Sequence, residues 1–521
     1  MSLNSEIFVD KSELLDVTNR YVNTQQRFMC VSRPRRFGKS MAADMLAAYY
    51  DCGDDTEELF EGLSISQCKS YRKHLNQYDV LKINMQEFLS RSDDVEGMLT
   101  LMQRRILSDL KQKYPEYVRE EDLVFAMQDV YSHTKRSFVI LIDEWDCLFR
   151  EYQQDQKAQK KYLDFLRAWL KDQDNVAFAY MTGILPIKKY GSHSALNMFI
   201  VVQFTEYSMT EPGELAAYFG FTENEVKNLC MEYGMDFEEA KAWYDGYGLI
   251  THKQDRDICY SMYSPKSVVE AMLRHKFGTY WNQTETYEAL KVYIQMNMDG
   301  LKDAIVGMLA GESIRINTGT FSNDMTTFAT RDDILTLLVH LGYLTYDGIL
   351  ESVSIPNKEV SKEYVNAIST MDWKEVITSV EESRRLLESL WNMDGEAVAE
   401  GIDQAHREIS ILQYNDENSL SCTINLAFYF AREYYTIIRE CPSGKGFADI
   451  CFIPRKLHAD KPAVVIELKW NKSAKGAIDQ IKEKQYIDAL KDYEGNLLLA
   501  GINYDRETKK HTCMIEKMNI S

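Results

Sequence analysis

Ser32-Arg33-Pro34-Arg35-Arg36-Phe37-Gly38-Lys39-Ser40 is the stretch whose reading decides the fold. A strand-like run, Arg27 to Val31, precedes it and a helix-like run, Met41 to Tyr49, follows, so a loop ending in Gly-Lys-Ser stands between a strand and a helix. This is the context a phosphate-binding loop requires. Gly38 lets the backbone turn its amides on phosphate oxygens, and the helix N-terminus adds partial positive charge. Lys39 would set an ammonium on the β- and γ-phosphates, and the Ser40 hydroxyl would be one ligand of the accompanying Mg2+. Arg33 stands where such loops carry their first glycine and is counted among the candidate nucleotide-binding residues. Arg35 and Arg36 read equally as contacts to phosphate or a partner and as a solvated basic turn.

Such a loop needs an acidic second half, which Phe138-Val139-Ile140-Leu141-Ile142-Asp143-Glu144 supplies. The unbroken apolar run reads as a strand buried on both faces. Asp143 would hold Mg2+ through water, and Glu144 would orient or deprotonate the water that attacks the γ-phosphate. A further strand, Val176 to Met181, ends at Thr182-Gly183, where the hydroxyl would sense the γ-phosphate or simply close a turn.

Working outward, strand and helix patterns alternate from about Glu6 to Glu206, with Val80 to Ile83 as another strand. Alternation of this kind makes an α/β parallel sheet. From Glu211 to His275 the pattern reads as helical, suiting a lid or interdomain cap, with helices at Glu225 to Tyr233 and Phe237 to Tyr244 and an aromatic turn, Trp243 to Tyr247. Arg331 to Leu341 reads as an amphipathic helix with Ile334, Leu337, Leu338 and Leu341 on one face, followed by strands around an Asp347-Gly348 hairpin turn and continuing through Ile355. Helix plus hairpin suggests a winged helix. Arg331 and His340 beside Asp332 and Asp333 give it no basic face, so a structural, interdomain role is preferred to DNA reading.

The far end carries a second chemistry. Ala448 to Pro454 and Ala463 to Trp470 read as neighbouring strands, and Glu467 and Lys469, two residues apart, share one face. Both are costly in a core unless paired or metal-bound. Asp449 on the adjoining strand gives two carboxylates and a lysine converging, a set that can hold Mg2+ and stabilise charge developing on a phosphate. An apolar stripe through Leu420, Ile424, Ala427, Phe428, Ala431 and Tyr435 extends back to Glu417, which either looks toward these strands or serves as a helix N-terminal acid. On a helix from Ala477 to Leu490, Gln480 and Lys484 lie one turn apart and are candidates for the substrate-facing side.

Composition bounds the remaining possibilities. The chain has 521 residues, so several domains are expected. A net charge of −20 argues against a general polyanion-binding surface and confines nucleic-acid contact to local patches such as Arg455, Lys456, Lys461, Lys469, Lys472 and Lys475. Ten scattered cysteines without a Cys-x-x-Cys pair, with no secretory leader and no long apolar run, fit a reduced cytosol and no membrane association.

Taken together, Phe8 to Ser12, Arg33 to Ser40, Leu141 to Asp146, Trp243 to Tyr247, Tyr263-Ser264-Pro265, Gly444 to Asp449, Ile466 to Lys469 and Gln480 to Tyr486 resemble the bacterial AAA-ATPase-like proteins with a C-terminal PD-(D/E)XK nuclease-superfamily domain. The resemblance covers nearly the whole chain. It implies a P-loop ATPase core at 1–210, a helical and winged-helix middle at 211–360, and a restriction-endonuclease-like α/β domain at 375–521. It also implies ATP and Mg2+ as cofactors and DNA or RNA as partner of the C-terminal domain. Arg33 in the loop is part of that family's own pattern. Asp449 and Glu467 would then be metal ligands and Lys469 the catalytic lysine, with Glu417 less firmly placed. The competing reading is an ATP-controlled switch or scaffold, a homo-oligomer or holder of a protein partner, whose nuclease-like domain cuts nothing.

Overall fold

The computed structural model describes residues 5–119, 121–186, 204–252, 256–281, 287–296, 298–321, 328–371, 373–408, 417–443, 446–484 and 496–518. They form two compact units, one from residues 1–234, 245–275 and 315–353, the other from 235–244, 276–314 and 354–521.

The first unit is built on a five-stranded parallel sheet. Its strands are β1 (Phe28–Ser32), β2 (Asp79–Asn84), β3 (Phe138–Asp143), β4 (Val176–Gly183) and β5 (Thr205–Tyr207), in the order β2-β3-β4-β1-β5. Every residue of β1, β3 and β4 is buried, as continuous apolar runs in a sheet covered on both faces demand. Because β4 lies between β1 and β3, its C-terminal end sits beside both the loop after β1 and the acid ending β3. That places Thr182 and Gly183 inside the strand, where the sequence had suggested a turn.

The region from Glu211 to His275 is not purely helical. Beside the helices Glu223–Tyr233 and Phe237–Tyr244 it forms an antiparallel sheet of β6 (Phe221–Thr222), β7 (Tyr247–His252) and β8 (Asp257–Tyr263), in the order β6-β8-β7. The aromatic turn at Trp243 is where helix gives way to strand, with Gly246 at φ 108° making the reversal.

The helix Arg331–Leu341 also departs from its expected character. Every residue from Asp333 to His340 is buried, so it is enclosed rather than lying with one face on a core. Thr330 and Asp333 cap its start reciprocally, satisfying both the helix N-terminus and the buried acid. Strands β9 (Ile314–Arg315), β10 (Thr345–Asp347) and β11 (Ser352–Ser354) share a small sheet in the order β10-β11-β9. Residues 348–351 are turn, not strand, because the Asp347 carboxylate accepts from the amides of Ile349 and Leu350 and curls the chain.

In the second unit, β12 (Tyr435–Ser443), β13 (Gly446–Pro454), β14 (Ala463–Trp470), β15 (Leu497–Asp505) and β16 (Lys510–Met518) follow one another in a mixed sheet, with only β14 and β15 parallel. The stripe from Leu420 does not run on to Tyr435 in one helix. The helix Glu417–Ala427 gives way to a tighter turn over Tyr429–Glu433, and Tyr435 opens β12. Two further helices, Lys374–Trp391 and Gly395–Glu408, precede the helix Glu417–Ala427.

Alternation along the strands divides two apolar layers. Ile450, Phe452, Val464, Ile466 and Leu468 pack with Leu387, Ile402 and Ile424 of the three helices before the sheet. Cys451, Ala463, Val465 and Leu499 face Ile478 and Ile481 of the helix Ala474–Glu483. Odd-numbered positions of β14 therefore point at that last helix, and Glu467 and Lys469 are among them.

Gly501, paired with Glu467, permits this close seating: a Cβ there would lie 2.2 Å from the Ala474 carbonyl oxygen and 2.9 Å from the Ala477 Cβ. Gly501→Ala is expected to destabilise the protein by about 1–3 kcal/mol through overpacking. Gly248→Ala, where the nearest atom is the Cys259 sulfur at 3.8 Å, should stay within about 0.5 kcal/mol of wild type. Urea denaturation of the full chain followed by tryptophan fluorescence distinguishes the two.

Candidate functional sites

At the first site the loop after β1 closes at Gly38, whose φ of 90° suits only a residue without Cβ, and the helix Lys39–Tyr50 begins there. Lys39 is buried and donates to the carbonyls of Arg33 at 2.9 Å and Pro34 at 3.0 Å, folded back on its own loop. Burial holds its pKa below the usual lysine range, against the opposing charge of Glu144.

Asp143, 3% exposed, is the meeting point. Its Oδ2 accepts from the Ser40 hydroxyl at 2.6 Å, and its Oδ1 accepts from the Thr182 hydroxyl and, at 3.1 Å, from the Glu144 amide. Ser40 and Asp143, the two groups expected at one Mg2+, are thus in contact, and hydroxyl with carboxylate is an oxygen donor set suited to that ion. Thr182 donates here to Asp143.

Arg33 is enclosed beneath the loop's start. Its side chain is fully buried, donates to the carbonyls of Ser32 at 2.9 Å and Tyr207 at 2.8 Å, and lies 5.7 Å from the centre of the Phe219 ring. A guanidinium so enclosed ties the start of the loop to Tyr207. Burial draws its pKa down to about 10. His340 is buried near enough to feel that charge, and burial first, then Arg33, pushes its pKa down to about 3. Arg36 is exposed at φ 66°, and Arg35 lines a cavity of about 630 Å3 together with Asn84, Glu144, Arg150 and Glu151.

Two residues of this site were given no role in the sequence reading. Asp146, fully buried, accepts from the amides of Ile184 at 3.0 Å and Leu185 at 2.8 Å. Arg150 lies 2.5 Å from the Glu144 carboxylate and 3.5 Å from that of Asp146. The four-residue spacing of Asp146 and Arg150 behind an acidic strand end was the available signal. Burial raises the Glu144 pKa, with Lys39 and Arg150 opposing.

The second site lies under the helix Ala474–Glu483. Glu467 Oε1 accepts from Lys469 Nζ at 2.8 Å and from the Gln480 amide, while Lys469 also donates to the Leu468 carbonyl at 3.1 Å. Asp449 would pair with Glu467 by continuation of the β13–β14 register, and it accepts from the Leu468 amide at 2.6 Å. Glu467 is 2% exposed, yet its Oε2 has no hydrogen-bond partner among the described residues. Burial, then the Asp449 charge, raises its pKa, while Lys469 and Lys484 oppose. An unsatisfied buried carboxylate oxygen beside a second carboxylate fits a divalent ion, which would take Glu467 and Asp449 as ligands.

The structure therefore brings together Asp449, Glu467, Lys469 and Gln480, with Lys484 exposed at the helix end and close enough for its charge to act on Glu467. Glu417 opens the helix Glu417–Ala427, but its side chain lies outside what is described, as do Gly444, Lys445, Gln485 and Tyr486. The basic patch expected nearby is largely neutralised. Arg455 pairs with Glu239 at 3.1 Å, Lys456 with Asp236 at 3.2 Å and Lys461 with Asp460 at 3.4 Å.

Comparison with known proteins follows this division. Residues 1–192 match the family described as predicted AAA-ATPase, and residues 416–513 match the PD-(D/E)XK nuclease superfamily. An uncharacterized protein in the vnfD 5' region of Azotobacter chroococcum mcd 1 is 25% identical over 272 residues, 49% of this chain and 47% of that protein, so the chain spans about half the length of this curated relative. Among solved structures, the Aeropyrum pernix ORC2 protein in ADPNP–ADP complexes aligns at TM-score 0.31 and 10% identity, over 70% of this chain and 97% of that one. The Aeropyrum pernix ORC1 protein in complex with DNA aligns at TM-score 0.24 and 11% identity, over 70% and 93%. The chain carries an AAA-ATPase-like domain at its N-terminal end and a PD-(D/E)XK nuclease-superfamily domain at its C-terminal end.

Proposed function

We propose that this protein binds and hydrolyses ATP at residues 1–210 and through that module controls a Mg2+-dependent nuclease at residues 375–521, with residues 211–360 as the helical and winged-helix connection. The observation that carries the nuclease reading is the Glu467 carboxylate, buried with one oxygen unpartnered beside Lys469 and Asp449. A carboxylate kept only for structure would be satisfied. For the ATPase half, the support is the contact of Ser40 with Asp143 at the phosphate loop.

In the ATPase, Gly38, Lys39 and the helix N-terminus hold the phosphates, and Glu144 orients the water and takes its proton as the bond from the γ-phosphorus to the bridging oxygen breaks. Mg2+, held by Ser40 and Asp143, would supply neutralising charge on the β- and γ-oxygens. At the second site Asp449 and Glu467 would hold the Mg2+ that acts as Lewis acid on a phosphodiester of DNA or RNA. Lys469 positions the attacking water and steadies the charge that develops, and Gln480 holds the Glu467 carboxylate in place. Nine free cysteines among the described residues suit a reducing, cytoplasmic setting, and no described helix is long and apolar enough to cross a membrane.

A second reading is an ATP-controlled switch or scaffold, alone or as a homo-oligomer, whose nuclease-like domain holds a partner without cutting. The pairing of Arg455, Lys456 and Lys461 with acids favours it, since those cations are then less available to a phosphate backbone.

Incubating the full chain with single-stranded or duplex DNA or RNA, Mg2+ or Mn2+, and with or without ATP separates the two. Cleavage is expected to vanish in Asp449→Ala and fall by about 10²-fold or more in Lys469→Ala, while Lys39→Ala loses ATP turnover. Cleavage that survives Asp449→Ala, or none under any condition, rules out the nuclease reading.

Metal affinity should also carry a pH signature. The raised pKa of Glu467 means the proton competes with the metal at higher pH than at an ordinary carboxylate, so Mn2+ affinity weakens early as pH falls. In the metal-free protein the sign for stability is opposite. Glu467 favours the folded state below its unfolded pKa, and that contribution is lost as pH rises through the raised folded value. Calorimetric titration with Mn2+ across pH, beside Glu467→Gln, reads the first effect, and pH-dependent thermal melts of the same pair read the second.

A further inference from the structure

Glu144 cannot act on water while it is engaged elsewhere, and in this structure it is engaged. Its carboxylate meets Arg150 at 2.5 Å, and Arg150 is anchored from behind by Asp146, itself fully buried and tied to the amides of Ile184 and Leu185. Only 12% of the Arg150 side chain is exposed, and two anions share its cation, Asp146 from behind and Glu144 in front. To meet it, the chain holds Glu144 at φ 53°, a left-handed conformation that a residue with a Cβ adopts under constraint. The two side chains line a cavity with Arg35 of the phosphate loop and with Asn84, Glu87 and Glu151, and the charges of both are felt at Lys39.

Building on the ATPase reading, we propose that Arg150 is the cation that receives the γ-phosphate, and that Glu144 occupies its place as an internal anion until ATP arrives. The γ-phosphate displaces the carboxylate from the guanidinium and so frees Glu144 to orient the water. A guanidinium exchanges between carboxylate and phosphate readily because both present paired oxygens to its fork of N–H groups. ADP lacks the displacing group and leaves Glu144 on Arg150. The base is thereby released only when a γ-phosphate is present to be attacked.

Affinities for ADP and for a non-hydrolysable ATP analogue, with Mg2+, are measured by calorimetry on the full chain, alongside steady-state ATP turnover. Glu144→Gln weakens the competing partner of Arg150, so preference for the analogue over ADP should rise, by about fivefold or more, as turnover is lost. Arg150→Ala should leave ADP affinity within about twofold while the analogue preference collapses and turnover falls. In the double variant the rise caused by Glu144→Gln should disappear, because its origin is the pair. A rise that persists without Arg150, or an unchanged preference in Glu144→Gln, overturns the exchange even if wild type hydrolyses ATP. If Arg150→Ala loses its thermal transition, the Glu144→Gln measurement alone decides. Absence of nucleotide binding by wild type fells the ATPase reading, and this inference with it.

Discussion

One carboxylate at the end of a buried strand organises the N-terminal site. Asp143 cannot lie 3% exposed with a charge unless hydrogen-bond donors surround it, and three answer: Ser40 from the phosphate loop, Thr182 from β4 and the amide of its own neighbour. Their convergence requires β1, β3 and β4 in adjacent order with their C-terminal ends level, which the parallel sheet provides. Satisfying one buried charge therefore ties loop, strand and strand into one piece.

The second unit solves a similar problem with a different remainder. Glu467 is buried by the helix that Gly501 allows against the sheet, and Lys469 and Gln480 satisfy one of its oxygens. The other has no hydrogen-bond partner among the described residues. Asp143, by contrast, has donors on both of its oxygens. In both places the energetic cost of burying charge is turned to placing it.

Much of this was legible in the chain. Phe138 to Asp143 is an unbroken apolar run closed by an acid, and a strand buried on both faces has few other ways to look. Ala463 to Trp470 was legible for a related reason: charges at Glu467 and Lys469 interrupt an apolar strand at a spacing that puts them on one face. Less legible were elements whose residues carry mixed signals. Tyr247 to His252 follows directly on a helix and shares its aromatic content, so its strand character emerged only in pairing with β8. The short strand β5 has three residues and no period to read. Arg33 looked like a phosphate contact because of its place in the motif, while its burial under the loop depends on Tyr207 and Phe219, far away in sequence.

The sequence by itself determined two local patterns: Gly38, Lys39 and Ser40 before a helix with Asp143 at the end of a buried strand, and the Asp449, Glu467 and Lys469 spacing across two strands, each with local physical causes. Tertiary structure alone decided which groups those residues meet. That Glu144 is held by Arg150, that Arg150 is backed by Asp146, and that Glu467 keeps one oxygen without a partner among the described residues are consequences of which elements lie side by side. Hydrogen bonds and ion pairs act over a few ångströms of space irrespective of sequence distance, so candidate residues can be named along the chain, while their state of engagement is set by the fold.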